Sequence, residues 1–134
     1  MMNQPRIRIL VVDDHEILRQ GLVMTLELFD DVECVGEASN GLEALDTSRQ
    51  TRPDVILIDL LMPVMDGATA IPRLRRQCPK AQIIVLTSGL DYTQVERALE
   101  LKPAALLYKT VSADTLVSTI RSVYHSAHPV VQQS

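Results

Sequence analysis

Short apolar runs alternate with longer stretches of helical spacing along the chain. Ile7 to Val12 is rich in β-branched residues and ends in Asp13-Asp14, which predicts a strand. From His15 to Phe29, apolar residues recur at Leu18, Leu22, Leu26 and Phe29, the spacing of one helix face. Val32 to Gly36 predicts a second strand, and Asn40 to Gln50 a helix with Ala44 and Leu45 inward. Asp54 to Ile58 is a third strand, closed by Asp59. Asp66-Gly67 follows Pro63 as a turn and helix start. The helix it opens runs to about Gln77, and Pro72 should kink it unless it lies near the first turn. Ala81 to Leu86 predicts a fourth strand, ending in Thr87-Ser88-Gly89. A helix follows from Asp91 to Leu101, with Val95, Ala98 and Leu99 on its inner face. Ala104 to Tyr108 predicts a fifth strand ending at Lys109. Ser112 can cap a last helix carrying Leu116, Ile120, Val123 and Ala127, which His128-Pro129 stops. Val130 to Ser134 reads as a tail.

The order is strand then helix, five times over. Strands that are apolar throughout are covered on both faces. Alternation with helices implies a parallel sheet with right-handed crossovers. The fold class is therefore α/β, a three-layer doubly wound (βα)5 domain. Ligands of such sheets bind outside the carboxyl ends of the strands.

Those ends carry the chemistry. The first strand ends in Asp13 and Asp14, the third in Asp59, the fourth in Thr87 and the fifth in Lys109. Three carboxylates in one crevice repel one another and raise one another's pKa values. A divalent cation removes that conflict, and oxygen ligands without His or Cys favour a hard ion such as Mg²⁺. A carboxylate beside a hard ion, with a Lys and a hydroxyl near, is a phosphoryl acceptor. It attacks phosphorus to give an acyl phosphate, with metal and Lys neutralising the phosphoryl oxygens. The plainer alternative is that Asp13, Asp14 and Asp59 cap the helices that follow.

Composition narrows the classes. The 134 residues suit one domain, and 46% hydrophobic residues can fill a core. A net charge of −4 argues against direct nucleic-acid binding. No window reaches the roughly 18 apolar residues of a membrane span. Met1 to Arg8 lacks the apolar core of a signal peptide, so a cytoplasmic location is the expectation. Cys34 and Cys78 have no metal spacing and read as buried or semi-buried free thiols. His125 and His128 read as part of a solvated end.

The segments Ile9 to His15, Asp59-Leu60-Leu61-Met62-Pro63-Val64-Met65-Asp66-Gly67, Val85-Leu86-Thr87-Ser88 and Lys109 together resemble the CheY-like receiver domain of bacterial two-component response regulators. Asp14-His15 and Val35 to Gly41 resemble the NarL/FixJ (LuxR-type) subgroup, whose receivers precede a helix-turn-helix DNA-binding domain. The resemblance implies a flavodoxin-like strand order of 2-1-3-4-5, with residues 1–127 as the receiver and 128–134 as a tail or the start of a linker to an effector. It implies that Asp59 is the phosphoacceptor, charged by a sensor histidine kinase or a small donor such as acetyl phosphate. Asp13, Asp14, Asp59 and the backbone carbonyl of Leu61 would hold Mg²⁺. Lys109 would pair with the phosphoryl group, and Thr87 would move its hydroxyl onto it. That motion would bias the face built from the fourth helix, fifth strand and fifth helix. The implied protein is a signalling switch and not an enzyme with a separate substrate. It would contact DNA only through a further domain, with the fifth helix as a candidate homodimer surface.

The sequence departs from the pattern at Leu106, where receivers usually carry Phe or Tyr. Tyr108 lies on the same strand face, either as a stand-in for that aromatic or as an ordinary packing residue. Leu61 and Gly89 flank the path of water in such domains, and neither can orient it through a side-chain hydrogen bond. Two other functions fit the acids less well. One is an interaction module that is never phosphorylated. The other is an Asp-nucleophile phosphatase, which would want a second acid where Leu61 stands.

Overall fold

The computed structural model of the chain describes residues 5–88 and 92–126, and the backbone of 130–131. The elements are β1 (Ile7–Val12), α1 (Glu16–Glu27), β2 (Val32–Ala38), α2 (Gly41–Thr51), β3 (Val55–Asp59), α3 (Gly67–Gln77), β4 (Gln82–Thr87), α4 (Tyr92–Glu100), β5 (Ala105–Tyr108), α5 (Ala113–His125) and β6 (Val130–Val131). The sheet order is β2-β1-β3-β4-β5-β6, parallel at every pairing. The five-strand frame 2-1-3-4-5 is thus present. Val130–Val131, expected as tail, adds a two-residue edge strand in register with Ala105 and Leu106.

Alternation along the strands divides the core into two halves. Ile9, Val11, Leu57, Ile84, Leu86 and Leu107 face one way, against Leu26 of α1 and Leu116, Ile120 and Val123 of α5. Leu10, Val12, Ile56, Ile58, Val85 and Leu106 face the other, against α2, α3 and α4. Burying a Leu or Ile side chain fully contributes about 1.5–3 kcal/mol. The central strands, apolar on both faces, therefore anchor the sheet.

Local signals set the helix ends. Asn40 Oδ1 accepts from Glu43 N–H, and Glu43 Oε1 accepts in return from Ser39 N–H, a reciprocal cap. Asp66 caps α3 through Thr69 N–H, and Ser112 caps α5 through Thr115 N–H. Pro72 sits inside α3 without ending it. Its ring is on the exposed face, so the bond it cannot donate opens toward solvent. Leu99 departs from its expected inward place, being 44% exposed. The α4 residues packed on the core are Val95 and Ala98, with Leu101 just beyond the helix. Gly89, Asp91, Ala127, His128 and Pro129 lie outside the described residues.

Candidate functional site

Four strands deliver their last residues, or the ones that follow, to one rim. Asp13 follows β1, Asp59 closes β3, Thr87 closes β4 and Lys109 follows β5. The sheet order reverses between β1 and β3, because β2 lies on the far side of β1. That reversal opens a crevice where the crossovers part. Asp13 and Asp59 sit at its floor, 1% and 6% exposed. The Lys109 ammonium bridges them, 3.0 Å from Asp59 Oδ2 and 3.1 Å from Asp13 Oδ2. Leu61 N–H donates to Asp59 Oδ1 at 3.3 Å, and His15 N–H to Asp13 Oδ1 at 2.8 Å. The backbone fixes these positions. Asp13 N–H donates to Ala38 O, Lys109 N–H to Thr87 O, and Arg19 Nη1 to the Asp13 carbonyl. Arg19 is itself held by Glu37 at 3.0 Å.

Burial pushes the Asp59 carboxyl above its ordinary value of 3.8; Lys109 offsets this only in part, and Asp13 adds to it. Burial alone would lower the Lys109 ammonium, but Asp59 and Asp13 outweigh it and hold it above its usual value. The linkage sign follows for Asp59. A carboxyl raised in the fold contributes stability fully below its unfolded-state pKa, and that contribution is lost as pH rises through the folded value. Ionised Asp59 thus works against folding at neutral pH. Asp59→Asn should melt several degrees higher than the parent at neutral pH in chelator, since Lys109 keeps Asp13 as a partner. The gain should shrink as pH falls toward about 4. Thermal denaturation at the two pH values checks this, and a lower melting point at neutral pH would refute it.

The donor set fits a divalent cation. Asp13 Oδ2 and Asp14 Oδ1 are buried atoms that receive no hydrogen bond among the described residues; Asp13 Oδ2 has only the ion pair with Lys109. One ligand atom each from Asp13, Asp14, His15 and Asp59 lies within 4.8 Å of the others. Above them is a cleft of about 140 Å³, lined by His15, Asp59, Leu61, Thr87, Gln94 and Lys109 among others. The loop after Asp59 is strained. Met65 N–H donates to Pro63 O at 2.7 Å around Val64, whose φ is 68°. This is a γ-turn with a β-branched residue in the left-handed region, at a cost of roughly 1–3 kcal/mol.

Asp13, Asp14, Asp59, Thr87 and Lys109 are all brought to this rim. Helix capping does not explain the acids. His15 stands at the N-cap of α1, where its side chain makes no capping hydrogen bond to the helix, and Asp66 caps α3. Asp66 is the turn and cap that its Asp-Gly pair predicts. His15, Arg19 and Gln94 were missed. Their sequence signal was weak, since each sits on a surface-patterned helix or loop and acts only through the fold. Cys34 and Cys78 are half-buried free thiols. His125 is exposed and meets the Tyr124 ring edge-on.

Residues 9–121 match the family model of the response regulator receiver domain. The response regulator VraR of Staphylococcus saprophyticus is 36% identical over 120 residues, covering 90% of this chain and 57% of VraR. The transcriptional regulatory protein YhcZ of Bacillus subtilis is 44% identical over 112 residues, covering 84% of this chain and 52% of YhcZ. The chain spans a little over half the length of the curated relatives it matches. A LuxR-family DNA-binding response regulator from Staphylococcus aureus superposes with TM-score 0.81 at 27% identity, covering 88% of this chain and 98% of that one. A LuxR-family two-component regulator from an Aurantimonas species gives TM-score 0.83 at 27% identity, covering 93% and 89%.

Proposed function

The chain belongs to the response regulator receiver domain family, and on that premise we propose that Asp59 accepts a phosphoryl group from a sensor histidine kinase or a small acyl phosphate. The observation that carries the reading is the buried Asp59 carboxylate held against Lys109 and Asp13 at the carboxyl edge of the sheet. An Asp59 oxygen attacks phosphorus, the donor's bond to phosphorus breaks, and the donor leaves with the electron pair. Burial raises the basicity of that oxygen, while Lys109 offsets part of that rise and offers an ammonium to the incoming phosphoryl oxygens. Receiver domains generally bind Mg²⁺ at their acidic pocket. Here Asp13, Asp14, Asp59 and the Leu61 carbonyl would hold it, and it would neutralise charge on the transferring group.

Thr87 lines the same cleft and is paired in register with Tyr108. A hydroxyl drawn toward the phosphoryl group would therefore act on the neighbouring β5 end. Leu106 is fully buried on the α4 side, with Tyr108 half-buried on the same strand face. This supports Tyr108 as the residue that carries the change outward. We assign residues 1–127 to the receiver and 128–134 to a tail or the start of a linker, whose Val130–Val131 pairs along the β5 edge. The LuxR-type relatives support control of a DNA-binding effector, reached through that segment. In this reading the kinase is the partner and α5 the candidate homodimer face. The domain acts as a signalling switch, with no separate substrate. No helix among the described residues is long and apolar enough to cross a membrane.

Intact mass after incubation with acetyl phosphate and Mg²⁺ tests the reading. One phosphoryl adduct per chain is expected, and an unmodified chain with every donor tried would remove it. The adduct should also be long-lived. Leu61 is 54% exposed at the mouth of the cleft and offers no polar group to a water there. Leu61→Asn should speed loss of the phosphoryl group severalfold by supplying a hydrogen bond to the attacking water. Decay of the adduct followed by mass checks it, and an unchanged half-life would count against it.

A further inference from the structure

His15 has no task in the phosphoryl chemistry above, yet its ring stands in the acidic group. Its Nδ1 lies 3.1 Å from Asp13 Oδ1 and 3.4 Å from Asp14 Oδ1. Neighbouring ligands on an octahedral ion with bonds of about 2.1 Å sit roughly 3 Å apart. The imidazole nitrogen is therefore spaced from both carboxylates as one ligand is from the next. The ring is 66% exposed, so no packing prevents the small rotation that would complete the contact. Asp14 Oδ1 is buried without a hydrogen bond among the described residues, and one ligand atom each of Asp13, Asp14, His15 and Asp59 lies within 4.8 Å of the others.

We infer that His15 Nδ1 is a nitrogen ligand of the divalent ion held in this crevice. The site then favours transition ions over Mg²⁺ more than carboxylates and carbonyls alone would, modestly for Mn²⁺ and more strongly for the borderline ion Co²⁺. The inference rests on the reading that the crevice holds a divalent ion. Its physical basis is ligand softness. Mg²⁺ takes hard oxygen donors and gives up water reluctantly, whereas imidazole strengthens binding of the later first-row ions. The alternative is that Nδ1–H only donates to Asp13, closing the loop after β1. A bound cation would then push the ring aside, and ion preference would not depend on it.

Mn²⁺ bound to the chain distinguishes these. Pulsed electron paramagnetic resonance of the Mn²⁺ form should show a directly coordinated ¹⁴N, and His15→Gln should lose that coupling. Mn²⁺ affinity should fall on the order of tenfold in the variant. Mg²⁺ affinity, measured by competition against Mn²⁺, should fall less, so that the preference ratio drops. Circular dichroism of the variant checks that the fold is kept, as expected for an exposed ring. If the parent binds neither ion, the divalent-ion reading itself fails. If it binds both without ¹⁴N coupling, or if His15→Gln keeps the coupling and the ratio, the His15 inference fails and the divalent-ion reading stands.

Discussion

Asp59→Asn is expected to reduce phosphorylation by acetyl phosphate to below detection while leaving the fold intact. The substitution is close to isosteric, and Leu61 N–H can still donate to the remaining carbonyl oxygen of the amide. What is lost is the anionic oxygen 3.0 Å from Lys109. An amide has neither the charge nor the lone-pair basicity to attack phosphorus. The neighbouring acids are poor replacements. Asp13 is 1% exposed and already engaged by Lys109 and His15 N–H, so its oxygens face inward and not toward an incoming donor. Asp14 is half-buried, with one oxygen enclosed. Intact mass should therefore show one adduct on the parent and none on Asp59→Asn, and the parent's adduct should vanish in chelator. A full adduct on Asp59→Asn would move the acceptor to another carboxylate. Phosphorylation that persisted without divalent ions would leave Lys109 as the sole counter-charge.

The convergence of Asp13, Asp59, Thr87 and Lys109 was legible because it follows from two properties of the sequence. The runs Ile7–Val12, Val55–Asp59 and Gln82–Thr87 are apolar on both faces, so they are central parallel strands. Parallel strands place their carboxyl ends on one edge. Other features depend on three-dimensional approach and left little trace. The apolar periodicity of the fourth helix admitted Leu99 to the core, but the packed stripe runs through Val95 and Ala98 to Leu101. Residues spaced by three fall on that stripe, and Leu99 lies about 100° around the helix from Ala98. Val130–Val131 is too short to carry a period and becomes a strand only because the β5 edge is open to pairing. His15 reads in sequence only as the start of the first helical stretch, because its relation to Asp13 and Asp14 is set by the turn after β1. The γ-turn at Val64 was hidden because a β-branched residue is the least expected occupant of a positive φ.

Gly67→Ala should be the most damaging small substitution outside the acids, and it joins the stability of the fold to the site. In sequence Asp66-Gly67 is only a turn signal. In the structure Gly67 N–H donates to Leu60 O at 2.7 Å, which draws the first turn of α3 onto the end of β3. A Cβ there would overlap the Asp59 carbonyl oxygen and lie 2.9 Å from Leu60 Cα. Both obstacles are backbone, so no rotamer change relieves them. Either α3 withdraws, or the Asp59–Leu60 peptide shifts and carries the acceptor carboxylate away from Lys109. The expected loss is about 2–3 kcal/mol, a large fraction of the roughly 5–15 kcal/mol that holds such domains together. The urea midpoint should fall with little change in slope. Phosphorylation should slow even at temperatures where the variant is fully folded. Gly21→Ala is the matched control. A Cβ on Gly21, within α1, meets nothing within 4 Å, so this change should stabilise by about 0.5–1 kcal/mol through helix propensity. A parent-like midpoint and phosphorylation rate for Gly67→Ala would mean that α3 does not hold the Asp59 backbone in place.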